Sequence, residues 1–554
     1  MSVTNYLSEV VRPAAQDAAD RARERWDETS GRWSEATDRA RERWDDAAQS
    51  LHLFVGEYKT RLNRLFEGRL DADRQGLERG LPPFAMREVR GGGTVGLDAL
   101  PDDPLAAYIP TEYGGRGTRI AEGLAVLDAT GYESLPLCLM IGINGGLFLQ
   151  PVAKYGAPEV KERVFRRFLD GKSMGGLMIT EPGYGTDALH MQTTATPTDR
   201  GTVRIKGTKH WAGLTGWADF WLLTARREGS RGLGRDLEFY VCDVTQPGQA
   251  IHVEETFPNL GLYMIPYGRN RIDVEVPASA QLQPHTTGIK MLLDILHRSR
   301  LQFPGMGMGF LRRLRDEAVA HAESRPMGAK SLIDFDQVQA RLAQMQAFAT
   351  TCSAMCAYTA EHAGVEEDCS GMSLQANAFK TTVTDMMQEA AQSLLQLVGA
   401  QGYRQDHLAG RSLTDSRPFQ IFEGSNDVLY DQVADAILKK MRRAKESSLG
   451  AFLRDGEPLT ARAAELFDGL FDFDVDTSIP QRKSVALGKA LSRAVSMEMV
   501  VRLGERGYPG DLVTQALDNL RAEIRAFLAT FRAPEAPQLI RAATVAPSWS
   551  DFIR

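Results

Sequence analysis

Residues 175–195 read GGLMITEPGYGTDALHMQTTA, and here an otherwise helical chain changes character. An apolar run from Gly175 ends at Thr180, Glu181 and Pro182. It gives way to Gly183, Tyr184, Gly185 and Thr186. An apolar run closed by glycines and hydroxyls reads as a strand entering a tight turn. Such a turn exposes backbone N–H groups that suit a phosphate or the polar edge of a flat ring. Turns of this kind are also common in β domains that bind nothing, so the stretch speaks to fold before function.

Beyond it, TVRIKG, FWLLTAR, LEFYVCDV, AIHVEET and RIDVEVP alternate as strands do, with Gly, Pro and Asp between them. They set a compact β domain at 174–280. Residues 71–173 are helical in pattern and close with an amphipathic segment bracketed by Gly156 and Gly171. Residues 281–445 return to the helical period over Ala-, Leu-, Met- and Gln-rich stretches, enough for a four-helix bundle. Residues 446–554 form a further helical extension. The expected class is α+β: a helical domain, a β-barrel-like domain and a helical bundle, with helical extensions at both ends.

The N-terminal extension, 1–70, carries the octamer DRARERWD twice, at 20–27 and 38–45. An α-helix turns about 100° per residue, so this offset brings Trp26 and Trp44 to one face with Trp33 close by. Arg21, Arg25, Glu28, Glu35, Arg39 and Glu42 occupy the other face. The repeat is amphipathic periodicity first. It can pack on its own protein or a sister chain, lie on a membrane surface, or dock another protein. Its balanced charges weaken the anionic-membrane reading.

Overall the chain has 554 residues, is 43% hydrophobic and 25% charged, and carries a net charge of −7. This is ordinary globular composition, and nothing marks a nucleic-acid binder. We find no apolar run near 18 residues and no signal-peptide order, which leads us to expect a cytoplasmic protein, with peripheral membrane contact as the alternative. The five cysteines are sparse and odd in number, as in a reducing compartment. Cys352 and Cys356 share a helix face in an apolar run and read as core thiols, so no metal site is expected. His297 and His321 are isolated and read as structural. CxxC, HExxH, GxSxG, the phosphate-loop pattern and GxGxxG after a strand are all absent. One carboxylate stands out in DSRPFQIFEGSNDVLYDQVAD, 415–435: Glu423, between Phe422 and Gly424. It either caps the following helix or is a desolvated base with a raised pKa. Residue types alone favour the cap.

Taken together, these stretches resemble the acyl-CoA dehydrogenase family over residues 95–440, in the right order. The resemblance is carried by IPTEYGGRG (109–117), PVAKYGAPEVKERV, ITEPGYGTD, GTKHWAGLTGWADFWLLTAR, DVEVP (273–277), ILHRSRLQFPGMGMG (295–309), LLQLVGAQGY (394–403) and FQIFEGSND. IFEGSND and LIDFDQVQARLAQM resemble most the very long-chain branch, which also has an extra C-terminal helical domain.

The resemblance implies FAD-dependent α,β-dehydrogenation of acyl-CoA thioesters, long-chain by branch, with electrons passed to an electron-transfer flavoprotein by a homodimer. Glu423 would be the general base. Thr180, Gly185, Thr186, Trp211 and Gly213 would line the flavin. Arg325, Gln396 and Gly399 would contact a flavin across a subunit interface. Ser425, Asn426 and Asp427 would close over its nucleotide. Thr186, Arg300 and Gly424 would meet the substrate, Arg300 helping to hold the CoA part. Three departures stand out. The family's Trp-Ile-Thr is Trp211-Ala212-Gly213, losing a hydroxyl; its Arg-x-x-Phe-Gly is altered to RPMGAKSL after Arg325; the second glycine of its Gly-Gly is Ala400. In some branches the base sits just before the conserved Arg; here that position is Ser299, so Glu423 is the matching candidate. Rival readings are an oxygen-using acyl-CoA oxidase or flavin monooxygenase on the same fold, and a non-catalytic scaffold that uses its helical ends.

Overall fold

The structure, a computed structural model, describes residues 104–534 except 172, 186, 231, 263–264, 405–406 and 477, together with residue 550. The duplicated octamer and Thr186 lie outside the described residues.

Four helices open this part: α1 (Ile120–Glu133), α2 (Leu135–Asn144), α3 (Gln150–Tyr155) and α4 (Pro158–Leu169). One widened turn, Gly145–Leu149, joins α2 to α3. The sequence reading of no long apolar run is corrected here. Leu135–Tyr155 is helical, 21 residues long, and apolar enough to cross a membrane by length and composition. Being 94% buried inside the protein, it serves as a core rod. α4 buries one face, Val160, Val164, Phe165 and Phe168, at helical spacing. It ends at Gly171, whose φ of +67° closes the turn.

The β domain is an eight-stranded sheet. Its strands are β1 (Gly175–Met178), β2 (Thr194–Pro197), β3 (Thr202–Gly213), β4 (Phe220–Gly229), β5 (Gly232–Leu233), β6 (Glu238–Asp243), β7 (His252–Thr256) and β8 (Tyr267–Pro277). The main path runs β1-β4-β2-β3-β8-β7, and β5 and β6 also pair with β4. β1 lies parallel to the start of β4, 220–223, which is buried on both faces and apolar. β3 and β8 form the long antiparallel pair and alternate buried with exposed residues. Their register slips between His210 and Ala212, a bulge that re-aims Trp211.

The chain then enters α5 (Gly288–Ser324), whose first amides are capped by Asp236 at 2.9 Å each. α6 (Asp336–His362), α7 (Ser373–Val398), α8 (Leu408–Ser416) and α9 (Asn426–Ala444) follow. The PGMGMG run of α5 lets neighbours approach on two sides. A Cβ on Gly309 would lie 1.9 Å from the Asp128 carbonyl oxygen of α1, and one on Gly307 2.4 Å from Val383 of α7. The altered RPMGAKSL stretch is a tight hairpin, Pro326–Met327 against Lys330–Ser331, turned by Gly328 at φ +69°. The C-terminal extension packs more intimately than the reading of a separate segment implies. After irregular chain it forms α10 (Gln481–Glu505) and α11 (Gly510–Arg532). α10 buries an unbroken run from Ala490 to Val500. Gly488 sits so close to α9 that a Cβ there would meet the Tyr430 carbonyl oxygen at 1.9 Å.

Candidate functional site

Glu423 lies between the short turn Arg417–Gln420 and α9. It has φ +53° and Gly424 has φ +94°. Positive φ is uncommon for a residue with a side chain and persists only where the surroundings hold it. They do so through two cations. Arg300 Nε donates to the Glu423 carbonyl oxygen at 3.0 Å, and Lys380 Nζ to the Gly424 carbonyl oxygen at 2.8 Å. Glu423 is not the helix cap that its residue type suggested, because Ser425 occupies that position. The kink instead sends the carboxylate back to α5, where Ser299 Oγ donates to Oε1 at 2.9 Å.

The other oxygen, Oε2, is shielded from solvent and has no hydrogen-bond partner among the described residues. The rings of Phe303, Phe419 and Phe422 cluster within 4.9–6.1 Å of one another at the base of the loop. Burial raises the Glu423 pKa, and Arg300, the Ser299 hydroxyl and Lys380 oppose it without cancelling it. A buried carboxylate with one oxygen held and the other free can take a proton from a bound molecule.

The turn after β1 rests on a second buried charge. Lys209, fully buried on β3, donates to Glu181 Oε1 at 2.8 Å, the Ile179 carbonyl oxygen at 3.1 Å and Thr224 Oγ1 at 3.0 Å. Glu181 also accepts from the Thr193 amide and hydroxyl and from the Gln192 amide. Burial works against this carboxylate, but Lys209 and the other donors outweigh it and hold its pKa below the usual range. The underside is therefore closed and the top is open. Chain neighbours aside, no described residue lies within 4 Å of where a Cβ on Gly183 or Gly185 would sit. Thr180 borders the turn, its carbonyl accepting from the His210 amide at 3.0 Å.

Trp211 follows, with φ +55° and a side chain 55% exposed, its ring 4.5 Å from that of Phe257 and 6.4 Å from that of Tyr267. Tyr267 links the two halves of the site: burial and the Glu423 carboxylate both push its hydroxyl pKa up. At Gly213 the missing side chain has a local reason. A Cβ there would lie 2.7 Å from Ile143 Cδ1 and 3.4 Å from the Tyr267 ring.

Other expected residues fall into place differently. Arg300 is buried, with its guanidinium committed to the Glu423 carbonyl and to Asn377 Oδ1 at 2.7 Å. In this structure it holds the loop. Asn426 turns inward, receiving Lys380 Nζ at 2.8 Å and donating to Asp385 at 2.7 Å. Gly424 forms the bend, Ser425 is half-buried and Asp427 is exposed. Gln396 and Gly399 line a surface cavity of about 790 Å³ with Leu260 and Tyr403, away from Glu423. Arg325 stands at that end of the bundle, because it and His407 both act on His321, beside Leu397. His297 is structural, its Nδ1 2.9 Å from the Cys369 carbonyl oxygen. Among the described residues no His, Cys, Asp and Glu group could hold a metal, and all five cysteines are free.

Sequence reasoning missed Ser299 as a donor, and Asn377, Lys380, Asp385 and Tyr267 altogether. Lys380 left a signal: a lone cation in the apolar helical run ANAFKTTVTD must be buried with partners.

Known proteins supply the remaining comparison. The family models for the acyl-CoA dehydrogenase N-terminal, middle and C-terminal domains match residues 102–172, 176–274 and 286–438. The chain is 24% identical over 346 residues to the short-chain specific acyl-CoA dehydrogenase of Megasphaera elsdenii, covering 60% of this chain and 86% of that one. It is 23% identical over 451 residues to the mitochondrial very long-chain specific acyl-CoA dehydrogenase of Mus musculus, covering 80% of this chain but only 65% of the relative. The crystal structure of an acyl-CoA dehydrogenase complexed with FAD from Bacillus anthracis shares the fold. Its TM-score is 0.69 at 18% identity, over 88% of this chain and 89% of that one.

Proposed function

The chain belongs to the acyl-CoA dehydrogenase family, and from that premise we propose that it oxidises long-chain acyl-CoA thioesters with Glu423 as the base. It is an oxidoreductase acting on a CH–CH group, with FAD as its cofactor. The residues present fit such a group. An exposed Trp211 face and an open Gly183–Gly185 turn stand on one side, and a buried carboxylate with a free oxygen on the other. Thr180, Gly185 and Trp211 would line its ring system. Bound FAD would supply the acceptor for a hydride from the substrate β-carbon.

The chain's own part is proton transfer and positioning. Oε2 of Glu423 takes the α-proton, and the electron pair left on the α-carbon becomes the new double bond as the β-hydride departs. Ser299 holds Oε1, so the other oxygen is the one that faces substrate. Desolvation makes the carboxylate a stronger base than an exposed one. By the family's pattern the Glu423 backbone N–H donates to the thioester oxygen, where negative charge grows as the proton leaves. The positive-φ kink at 423–424 allows one residue to present both groups.

The observation that carries this reading is the buried, partnerless Oε2 of Glu423. Long chain length rests on the very long-chain relatives, whose match extends over 80% of the chain in the mouse protein. An electron-transfer flavoprotein as acceptor, and a homodimer with Gln396 and Gly399 at its interface, complete the proposal. The test is anaerobic addition of long- and short-chain acyl-CoAs to the purified holoprotein. Long chains should bleach the flavin band, and Glu423→Gln should abolish the bleaching. A band that persists with every acyl-CoA and acyl-carrier thioester sinks the reading. Rapid oxygen consumption without added acceptor would move the assignment to an oxidase.

A further inference from the structure

We propose that Arg493, on α10 of the C-terminal extension, is a positioning residue for Glu423 that acts through Asp385. The proposal rests on the reading of Glu423 as the base. Asp385 of α7 grips the loop at both ends: its Oδ1 accepts from Gln420 Nε2 and from Asn426 Nδ2, each at 2.7 Å. Those residues stand three before and three after Glu423. Asp385 Oδ2 accepts from the Tyr430 hydroxyl of α9.

Behind this clamp stands Arg493, its side chain 2% exposed. Nη1 donates to the Tyr430 hydroxyl at 2.8 Å and to Thr382 Oγ1 at 3.3 Å, and Nη2 reaches Asp385 Oδ2 at 3.5 Å. On its far side Nε donates to Glu523 of α11 at 2.7 Å, and the Phe527 ring packs 5.2 Å from the guanidinium. One cation from the extension thus orients both the carboxylate and the phenol that hold the base loop.

The groups acting electrostatically on Glu423 are Arg300 of α5 and Lys380 of α7; the Ser299 hydroxyl bonds to it, and its charge is felt at Tyr267 of β8. Arg493 is not among them. Removing it acts on Glu423 through loop geometry rather than through its field. Glu423 holds a strained φ only while the clamp holds. A loosened loop hydrates the carboxylate. Burial is the largest influence on its proton affinity, so the pKa should fall toward the ordinary value.

The experiment compares full-length holoprotein carrying Arg493→Met, Arg493→Lys or Glu523→Gln with the unmutated protein. It measures deuterium exchange from D2O into the α-carbon of a 3-thia-acyl-CoA, whose β-sulfur has no hydride to give, beside kcat and KM against pH. For Arg493→Met we expect exchange and kcat to fall on the order of tenfold to a hundredfold, as for a small misplacement of a catalytic group. The acid limb should move to lower pH and KM should change little. Arg493→Lys should recover part of the loss, since it keeps charge but not the fork of donors. Glu523→Gln should lower Tm without moving the pH profile. If Arg493→Met does not fold, the lysine variant carries the test. Arg493 variants with a lowered Tm but unmutated exchange and pH profile overturn the proposal alone. Absence of exchange in the unmutated protein overturns the assignment of Glu423 itself.

Discussion

Two buried charge clusters support the two halves of the site in opposite ways. Beneath the turn at 180–185, Lys209 of β3 is paired with Glu181 of the turn itself, and their polar partners lie on neighbouring segments between Met178 and Thr224. Beneath the loop at 420–426, Asp385, Arg493, Tyr430 and Glu523 come from four helices. The first is closed by strand register. The second exists only once a distant part of the chain has docked. One builds a rigid floor, and the other makes the geometry of the Glu423 loop depend on tertiary assembly.

The difference is testable, and the largest effect should come from Lys209→Met. It strands the Glu181 carboxylate in a dry pocket, and losing one partner of a buried pair costs about 3–5 kcal/mol. The pH dependence has a definite sign. Pairing depresses the Glu181 pKa in the folded state, so its stabilisation is present above the ordinary carboxylate value and lost as pH falls through the depressed one. The unpaired Glu181 of the variant escapes its penalty by protonating. The stability gap, read by denaturant unfolding, should therefore be widest near neutrality. It should begin to narrow above the ordinary carboxylate value of about 4.3 as the stranded carboxylate protonates, and narrow further below it as the unmutated pair loses its contribution. A gap that stays constant with pH would show that Glu181 is not the group left stranded.

Asp385→Asn tests the other cluster. It should cost less, about 1–3 kcal/mol, since the amide keeps part of the hydrogen bonding and the Asp385 side chain is 21% exposed. Unlike the Lys209 change, it should lower kcat by more than the loss of folded protein explains, because it opens the clamp at Gln420 and Asn426. Equal loss of folded fraction and activity would erase the contrast between floor and clamp.

The same contrast explains what the sequence made legible. Strands from Thr202 to Pro277 alternate or run apolar according to their place in the sheet, so their pattern is their own signal. The turn at 180–185 announces itself by its glycines, and Glu423 by family resemblance. Arg493 has no such mark. It sits among alanines and serines on α10, and its partners Asp385 and Glu523 are 108 and 30 positions away. No local period encodes a meeting of four helices. Arg300 was marked by family resemblance alone, and its bond to the Glu423 carbonyl of its own chain had no sequence signal.

Ser299→Ala should have a smaller effect, opposite in direction to that of Arg493→Met. The Ser299 hydroxyl is among the groups that lower the Glu423 pKa, and removing it leaves burial less opposed. With Glu423 as the proposed base the ionised carboxylate is the active form, so the acid limb of kcat against pH should move up. The Ser299 hydroxyl favours the ionised form through one hydrogen bond, so its loss should be readable as an upward move of the limb. Activity well above the new limb should survive. A downward shift would mean that the serine holds the loop closed rather than stabilising the carboxylate.

The smallest effect belongs to Gly213, where the family pattern has a hydroxyl residue. Gly213→Ala places a Cβ 2.7 Å from Ile143 Cδ1, at the far end of a flexible side chain. Overpacking a core costs about 1–3 kcal/mol, and a movable contact puts this case near the lower bound. Ile143→Val removes the offending methyl, so the double variant should regain most of the lost Tm, a coupling that distant sites do not show. The Tyr267 ring, 3.4 Å from the same Cβ, is in ordinary contact and need not move. If the double variant is no better than Gly213→Ala alone, the pressure lies on Tyr267 instead. The glycine then makes room for Tyr267, which neighbours Trp211 and feels the charge of Glu423.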